Sequence, residues 1–331
     1  MILFKSVALA VGLLVLVMAL LVALEGLPVP DYTRLWQEFR NAGHLPLFGV
    51  FALLVLWLTG TLTRGHLARS RSYVIAAVTM TVVAIVSELL QYAGPRDADP
   101  WDLLRDIAGV VVFLGIAAVR DRELSVFRQG RGRKKRRLFI GVLIMVCVIA
   151  LAPVAYWGGL FAARNARFPV ILDAESVLEM PLLKRQGTQI EQVPLPVDFV
   201  DGHGTRALAV TFFSSRRSGL RIDDLYPDWR GFEALSLAVY SGLDRPVKLG
   251  VRVQDRDYNF HMYDRYRGEA VIAPGSNRIV IPLSEMSPLV SGRPMAFDRM
   301  ATIVLFIRHQ QDGEFPLLFD DLKLVRGKQG R

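Results

Sequence analysis

The sequence predicts an α-helical polytopic membrane domain with five transmembrane helices, followed by an all-β jelly-roll sandwich. The first observation behind this fold class is composition: the 331 residues are 52% hydrophobic, and the apolar residues are concentrated in the first half. The second is periodicity, because the second half shows short alternating runs separated by turn-forming residues. That pattern is typical of antiparallel sandwiches and jelly rolls.

Five segments are predicted to cross the membrane, since about 20 helical residues span a bilayer core. They are residues 6–24, 45–63, 73–93, 101–119 and 138–163. The first two carry no charge, and the fifth contains Pro153 as a predicted kink. The third and fourth reach this length only if they carry ionisable side chains into the membrane, where such groups are costly and mark polar cavities or pairs.

Basic residues in the short loops predict the topology, because Lys and Arg are enriched on the cytoplasmic side. The loop at 120–137 has nine basic and two acidic residues, so we predict that it is cytoplasmic. Its run at 131–137 has no interleaved aromatic residue, which favours contact with anionic lipid and not with nucleic acid. We therefore expect a multi-pass protein of the bacterial inner membrane, with a cytoplasmic N-terminus and an extracytoplasmic C-terminal domain.

The membrane domain is predicted to cover residues 1–163, and a short linker at 164–169 leads into a β-sandwich at 170–331. Alternating runs and turn formers predict seven to nine strands in this part. The clearest runs are residues 207–213, 234–240, 247–253, 278–282, 302–307 and 317–325. The sole cysteine, Cys147, lies in the fifth predicted span, so no intrachain disulfide is available.

Several short motifs of the second half are similar to the galactose-binding-like jelly rolls found in many carbohydrate-binding modules. They are the residues at 228–231, the strand at 251–257, the residues at 264–266, the turn and strand at 274–283 and the final strand at 318–325. The resemblance implies a sandwich that recognises a glycan. It indicates the fold better than the ligand.

Sugar-binding domains of this kind use exposed aromatic faces with a few polar groups. The predicted ligand-binding residues are Trp229, Tyr258, His261 and Tyr263. The alternative for Trp229 is a place in the hydrophobic core.

Three carboxylates of the second half are candidates for a structural calcium site: Asp255, Asp320 and Asp321. Carboxylate oxygens suit this hard cation, and related modules often hold one. The alternative is that these residues cap strand ends or form ion pairs with Arg252 and Arg265.

Polar residues in the third and fourth spans are spaced to share helix faces. Glu88 and Gln91 are three residues apart, and Asp102 and Asp106 are four apart. Gly109 continues the second of these faces and would allow a neighbouring helix to approach closely. The predicted outward-facing polar cluster consists of His44, Glu88, Gln91, Arg96, Asp102, Arg105 and Asp106.

This cluster resembles the VanZ-like family of small polytopic membrane proteins over roughly residues 30–120. The motif is His44 before residues 45–49, then Glu88-x-x-Gln91, Arg96, Asp102 and the glycine at 109. The sequence departs from the family where an Asn usually replaces Asp106 and where a Lys often replaces Asn41. The resemblance implies a role in the cell envelope, not a reaction.

Three interpretations of the cluster remain open at this point. The charged residues could pair to hold the helices together, bind an envelope glycan, lipid-linked sugar or headgroup through Arg96 or Arg105, or catalyse a reaction through Glu88 or His44. The sequence has no evident nucleophile, metal-ligand spacing or phosphate-binding glycine loop. We therefore predict a non-enzymatic membrane protein that recognises glycan. The alternatives are a membrane enzyme or transport accessory for lipid-linked sugar, and a protein-interaction scaffold.

Overall fold

The computed structural model describes two compact units, divided between Gly158 and Gly159. Each is presented by itself. The described residues are Gly12, 33–63, 66–92, 100–124, 132–213, 218–307 and 313–327. The first predicted span, at 6–24, therefore lies outside them except for Gly12.

The first unit is helical. Its described helices are α1 Arg34–Ala42, α2 His44–Leu62, α3 Arg69–Tyr92, α4 Pro100–Arg120 and α5 Gly132–Arg167. Within the described part of the chain, three stretches are long and apolar enough to cross a membrane: Arg34–Leu62, Arg69–Leu89 and Arg133–Arg167. Helix α4 forms over the predicted fourth span but is not one of the three. Its first two turns contain three charged residues.

Helices α2 and α4 approach each other closely through glycines. A Cβ atom on Gly109 would lie 2.1 Å from the backbone oxygen of Leu45, and one on Gly49 would lie 2.3 Å from the ring of Phe113. Both distances are shorter than any real contact, so the two positions need glycine. The close approach predicted for Gly109 is thereby confirmed.

The second unit contains a sandwich of two antiparallel sheets, as predicted. Sheet A has the strand order β3-β4-β11-β6-β9, with β1 also paired to β11, and sheet B has the order β2-β5-β10-β7-β8. The strands are β1 Val170–Leu172, β2 Leu183–Gln186, β3 Thr188–Pro194, β4 Arg206–Phe212, β5 Ser218–Ile222, β6 Ala234–Ser241, β7 Val247–Asp255, β8 Tyr266–Ile272, β9 Gly275–Pro282, β10 Met300–Ile307 and β11 Phe315–Val325.

The core lies between the two sheets and is built from alternating strand residues. Sheet A contributes Leu208, Val210 and Phe319, and sheet B contributes Leu249 and Leu305. All five side chains are fully buried. Since neighbouring residues of a strand point to opposite faces, these positions also determine which side chains lie on the outer faces.

Three predictions need correction. The described residues contain eleven strands, more than the predicted seven to nine. The predicted linker at 164–169 is helical up to Arg167, because α5 continues to that residue before β1 begins at Val170. The basic run at 132–137 is likewise the first part of α5 and not a loop.

Candidate functional site

Arg105 is the centre of a buried polar cluster in the helical unit. Its side chain is only 1% exposed and donates hydrogen bonds to Asp102 (2.8 Å) and to Glu38 of α1 (2.6 Å). Glu38 also lies 3.5 Å from Arg34, one turn earlier in α1. The guanidinium is therefore engaged by two carboxylates, and this part of the cluster connects α1 to α4.

A second pair lies one turn further along α4. The Nδ1 atom of His44 is 2.9 Å from Oδ1 of Asp106, whose side chain is also 1% exposed. Glu88 is buried on α3. Of the predicted cluster, Arg96 and the side chain of Gln91 lie outside the described residues. The structure thus joins His44 with Asp106, and Asp102 with Arg105.

Glu38 belongs to this cluster, and the sequence analysis did not find it. The detectable signal was its spacing of four residues from Arg34, which favours an ion pair on one face of a short helix.

The outer face of sheet A is covered by the loop at 195–205. Phe199 of this loop is buried against Ala207, Ala238 and Tyr240. Arg278 of β9 holds the loop by donating to the backbone oxygen of Asp201. This face is therefore closed by the protein's own chain.

Asp320 and Asp321 lie under this loop and are occupied by protein groups. Asp320 accepts a hydrogen bond from the backbone of His203 at 2.6 Å, and Asp321 contacts Arg278 and Lys323, each at 2.9 Å. Asp321 has a φ of 50°, and the pairing of β11 with β6 shifts register here, so a β-bulge places both carboxylates on the outer side.

Asp255 lies on the other sheet, at the end of β7. It makes a bidentate ion pair with Arg293, with distances of 2.7 and 2.9 Å. Among the described residues there is no group of three or more His, Cys, Asp or Glu side chains that could hold a metal ion. The structure therefore does not bring Asp255, Asp320 and Asp321 together: they are divided between two sheets, and Asp255 and Asp321 pair with basic side chains.

Burial raises the pKa of Asp320 to about 6 from an ordinary value of 3.8. Stability linked to this group is therefore greatest below about pH 4 and falls as the pH rises through 6. We expect Asp320→Asn to gain about 2 kcal/mol relative to wild type between pH 4.5 and 7.5. Thermal unfolding of the full chain in micelles at several pH values measures this.

His203 lies 3.5 Å from Asp321, so both proteins should be compared in a His203→Gln background. If the difference in melting temperature between the proteins with and without the Asp320→Asn substitution stays constant with pH, the pH-dependent loss of stability does not come from Asp320.

The outer face of sheet B has a different character. One residue from each of its five strands lies on a single line across the sheet. In strand order these residues are Lys184, Arg221, Val304, Arg252 and Arg267. The flanking residues of these strands, such as Leu220 and Leu305, enter the core, so this line lies on the outer face. We call Lys184, Arg221, Arg252 and Arg267 the basic row, and this outer side of sheet B the open face.

The open face is exposed at its margins and deeper at its centre. The side chain of Lys184 at one edge is 67% exposed, whereas Thr302 and Val304 of the central strand are buried. The open face therefore has an exposed basic margin and a buried centre.

Asp223 fixes one half of the basic row. It contacts Lys184 at 2.8 Å and Arg221 at 2.6 Å, and it accepts a hydrogen bond from Thr302 at 2.8 Å. Burial alone would raise the pKa of Asp223, but these bonds outweigh burial and keep the pKa below its ordinary value. The carboxylate thus remains charged and orients the two basic side chains.

Phe306 supplies an aromatic surface on the same face. It is paired with Gly219 and Gly250, and a Cβ atom on Gly250 would lie 2.3 Å from its ring. The guanidinium of Arg252 lies 4.5 Å from the ring centroid, within the range of a cation–π contact. The ring is therefore held between a glycine and an arginine.

The predicted ligand-binding residues lie elsewhere. Trp229 is fully buried in the core, where its indole donates to the backbone of Tyr226, so its prediction as an exposed sugar contact is wrong and the core alternative holds. His261 and Tyr263 are exposed in the β7–β8 loop. Tyr258 of that loop is partly buried and accepts a hydrogen bond from Arg265.

The sequence analysis missed the open face because its residues are far apart in the chain. Only the alternation of β7 could have indicated it, since Lys248, Arg252 and Gln254 alternate there with apolar residues. Phe306 gives no such signal, because β10 is almost entirely apolar.

No protein-family model matches the chain, and no curated protein matches it, so the VanZ-like resemblance of residues 30–120 stays a prediction. Among solved structures, an exo-β-agarase is similar at 14% identity and a TM-score of 0.38, over 48% of this chain and 25% of the agarase. This chain thus spans about a quarter of that enzyme.

Two smaller proteins are also similar. A family 11 carbohydrate-binding module from Clostridium thermocellum, in complex with a β-1,3-1,4-mixed-linked tetrasaccharide, is 15% identical, with a TM-score of 0.36 over 47% of this chain and 93% of the module. A module specific for non-crystalline cellulose is 10% identical, with a TM-score of 0.34 over 48% and 95%. At these scores the ligand of this chain must be argued from its own geometry.

Proposed function

We propose that this chain is a membrane-anchored, non-enzymatic glycan-recognition protein of the cell envelope, and that its sandwich binds glycan on the open face. The observation that carries the proposal is the contrast between the two outer faces. Sheet A is covered by the loop at 195–205, whereas the outer face of sheet B presents polar, basic and aromatic side chains.

The chemistry of the open face suits an extended sugar chain. Glycans offer hydroxyl groups to polar side chains and apolar ring faces to aromatic side chains. Thr302 and Gln254 lie opposite each other at the centre, and Phe306 lies four residues further along β10 on the same face, with its ring position fixed by Gly250. Fixed side chains lower the entropy cost of binding, which favours this face as the site.

The membrane anchor rests on the three long apolar stretches of the described residues. The charge pattern of the loops supports a cytoplasmic N-terminus and a sandwich outside the cytoplasmic membrane. In this proposal the VanZ-like polar cluster holds helices together, because Arg105 already binds Glu38 and Asp102. The sandwich then meets envelope or extracellular glycan.

The test is binding of the full chain in micelles to a panel of soluble polysaccharides and peptidoglycan fragments, measured by calorimetry. Saturable binding of at least one glycan is the expected result. A folded protein that binds none of them would overturn the proposal and favour a protein-interaction scaffold.

Phe306→Ala should weaken the binding of any glycan found in this way by about tenfold, which is typical of truncating an aromatic anchor. Phe306→Leu keeps the apolar volume but lacks the flat ring, so it should weaken binding similarly without loss of fold. Calorimetry with each variant provides the measurement.

Two further variants, Tyr263→Ala and His261→Ala, test the exposed β7–β8 loop as an alternative binding site. They should bind as the wild type does. If they lose binding while Phe306→Leu keeps it, the site is the loop and not the open face.

A further inference from the structure

We propose that the ligand of the open face is an anionic glycan, whose sugars carry carboxylate or phosphate groups. This inference rests on the proposed glycan recognition and adds the chemical class of the ligand. It comes from the positions of the charged side chains on sheet B.

The basic row brings like charges together across strands. Lys184 lies directly opposite Arg221, and Arg252 lies directly opposite Arg267. Like charges at directly opposed positions destabilise a sheet. Asp223 offsets the repulsion within the first pair, and an anionic ligand near Arg252 and Arg267 would lower the repulsion within the second.

Positive charge is also concentrated on this face relative to the rest of the domain. Residues 164–331 contain 23 basic and 21 acidic residues, which nearly balance. The open face carries five basic and two acidic side chains: strand register places Lys184, Arg221, Lys248, Arg252, Arg267 and Glu269 there, and Asp223 joins them through its contacts with Lys184 and Arg221. The field above the face is therefore positive, which attracts anions.

The spacing of the row suits a polymer with repeated charges. Strands lie about 4.8 Å apart, so the row from Lys184 on β2 to Arg267 on β8 spans about 19 Å. Arg221 and Arg252 flank β10 and are two strand spacings apart, about 10 Å. Guanidinium groups bind carboxylate and phosphate in a bidentate manner. Several charged sugars of one chain could thus be engaged together.

The experiment compares polygalacturonate, a carboxylated polysaccharide, with neutral mixed-linkage β-glucan, using the full chain in micelles. We expect polygalacturonate to bind at least tenfold more tightly in low salt, and its affinity to fall as ionic strength rises. A teichoic-acid preparation serves as the phosphate arm and distinguishes phosphate from carboxylate as the recognised group.

Variants that remove single basic side chains test whether polygalacturonate binds at the basic row. Arg221→Gln and Arg252→Gln should each weaken polygalacturonate binding about tenfold, because each removes a charge-assisted contact. Lys184→Gln should weaken it as well, whereas Arg185→Gln should not. Arg185 is the next residue of β2 and has the same charge, but it lies on the opposite side of the strand. Lys184 is exposed, so its variant tests the proposal even if an arginine variant does not fold.

The outcomes separate the two proposals. Neutral glucan binding as tightly as both anionic polymers would overturn the anionic assignment and leave glycan recognition in place. Failure to bind any glycan would overturn both. Equal binding of single-stranded DNA or of vesicles containing anionic phospholipid would show a general polyanion surface, which contradicts an anionic glycan as the specific ligand.

Discussion

Arg105→Ala should destabilise the helical unit by about 3 to 5 kcal/mol, the typical effect of removing one partner of a buried ion pair. The wild-type guanidinium is 1% exposed and forms ion pairs with Asp102 and Glu38 at 2.8 and 2.6 Å. Without it, two buried carboxylates face each other and have lost their cation. The melting temperature of the full chain in micelles, together with its yield in the membrane fraction, measures the effect.

Arg40→Ala is the matched control, because Arg40 is exposed on the same short helix as Glu38. We expect it to change stability by less than about 1 kcal/mol. The triple variant Glu38→Gln, Asp102→Asn, Arg105→Met removes all three charges and should recover part of the loss. If Arg105→Ala melts like the wild type, the carboxylates are solvated and the cluster is open to a ligand.

The helical part could be predicted well where local spacing carries the information. Asp106 and Gly109 lie on one face of one helix, so their common direction follows from the helical period. The identity of their partners does not follow, because it depends on which helices pack together. Glu38 shows this: it is 67 residues away from Arg105 in sequence, and it lies outside all five predicted spans.

For the sandwich, alternation predicted the class of fold but not the register. Strand β8 has a partly regular alternation, yet its Gly268 and charged residues weaken the apolar signal, and it was missed. The basic row depends on register between four strands. A shift of one residue in any of them would place a basic side chain on the core side. Such a site can be recognised only after the strands have been paired.

Arg293→Ala should destabilise the sandwich by about 3 to 5 kcal/mol. Its guanidinium makes the bidentate pair with Asp255 and also donates to Asp264 at 2.9 Å, and both carboxylates are about 2% exposed. The chain has one cysteine, at position 147, so no disulfide can connect the loops of this domain. Arg293 connects these segments instead, because it lies before β10 and bonds both to the end of β7 and to the β7–β8 loop. Thermal unfolding of the full chain checks the loss.

The loss of stability in Arg293→Ala should depend on pH in a defined direction. The bond from Arg293 holds the pKa of Asp264 below its ordinary value of 3.8. The stability from this pair is therefore present above about pH 4 and disappears as the pH falls through the lower folded pKa. The difference in the free energy of unfolding between Arg293→Ala and wild type should be largest at pH 7 and should become smaller below pH 4.

Arg299→Ala provides the control for this pair, since Arg299 bonds to Asp257 at 2.9 Å but both side chains are substantially exposed. Exposed pairs contribute about 0 to 1 kcal/mol, so the two arginines should differ severalfold although they lie six residues apart. Equal effects would mean that the Asp255–Arg293–Asp264 network is solvated like a surface pair. The β7–β8 loop would then be held by its backbone bonds and not by charge.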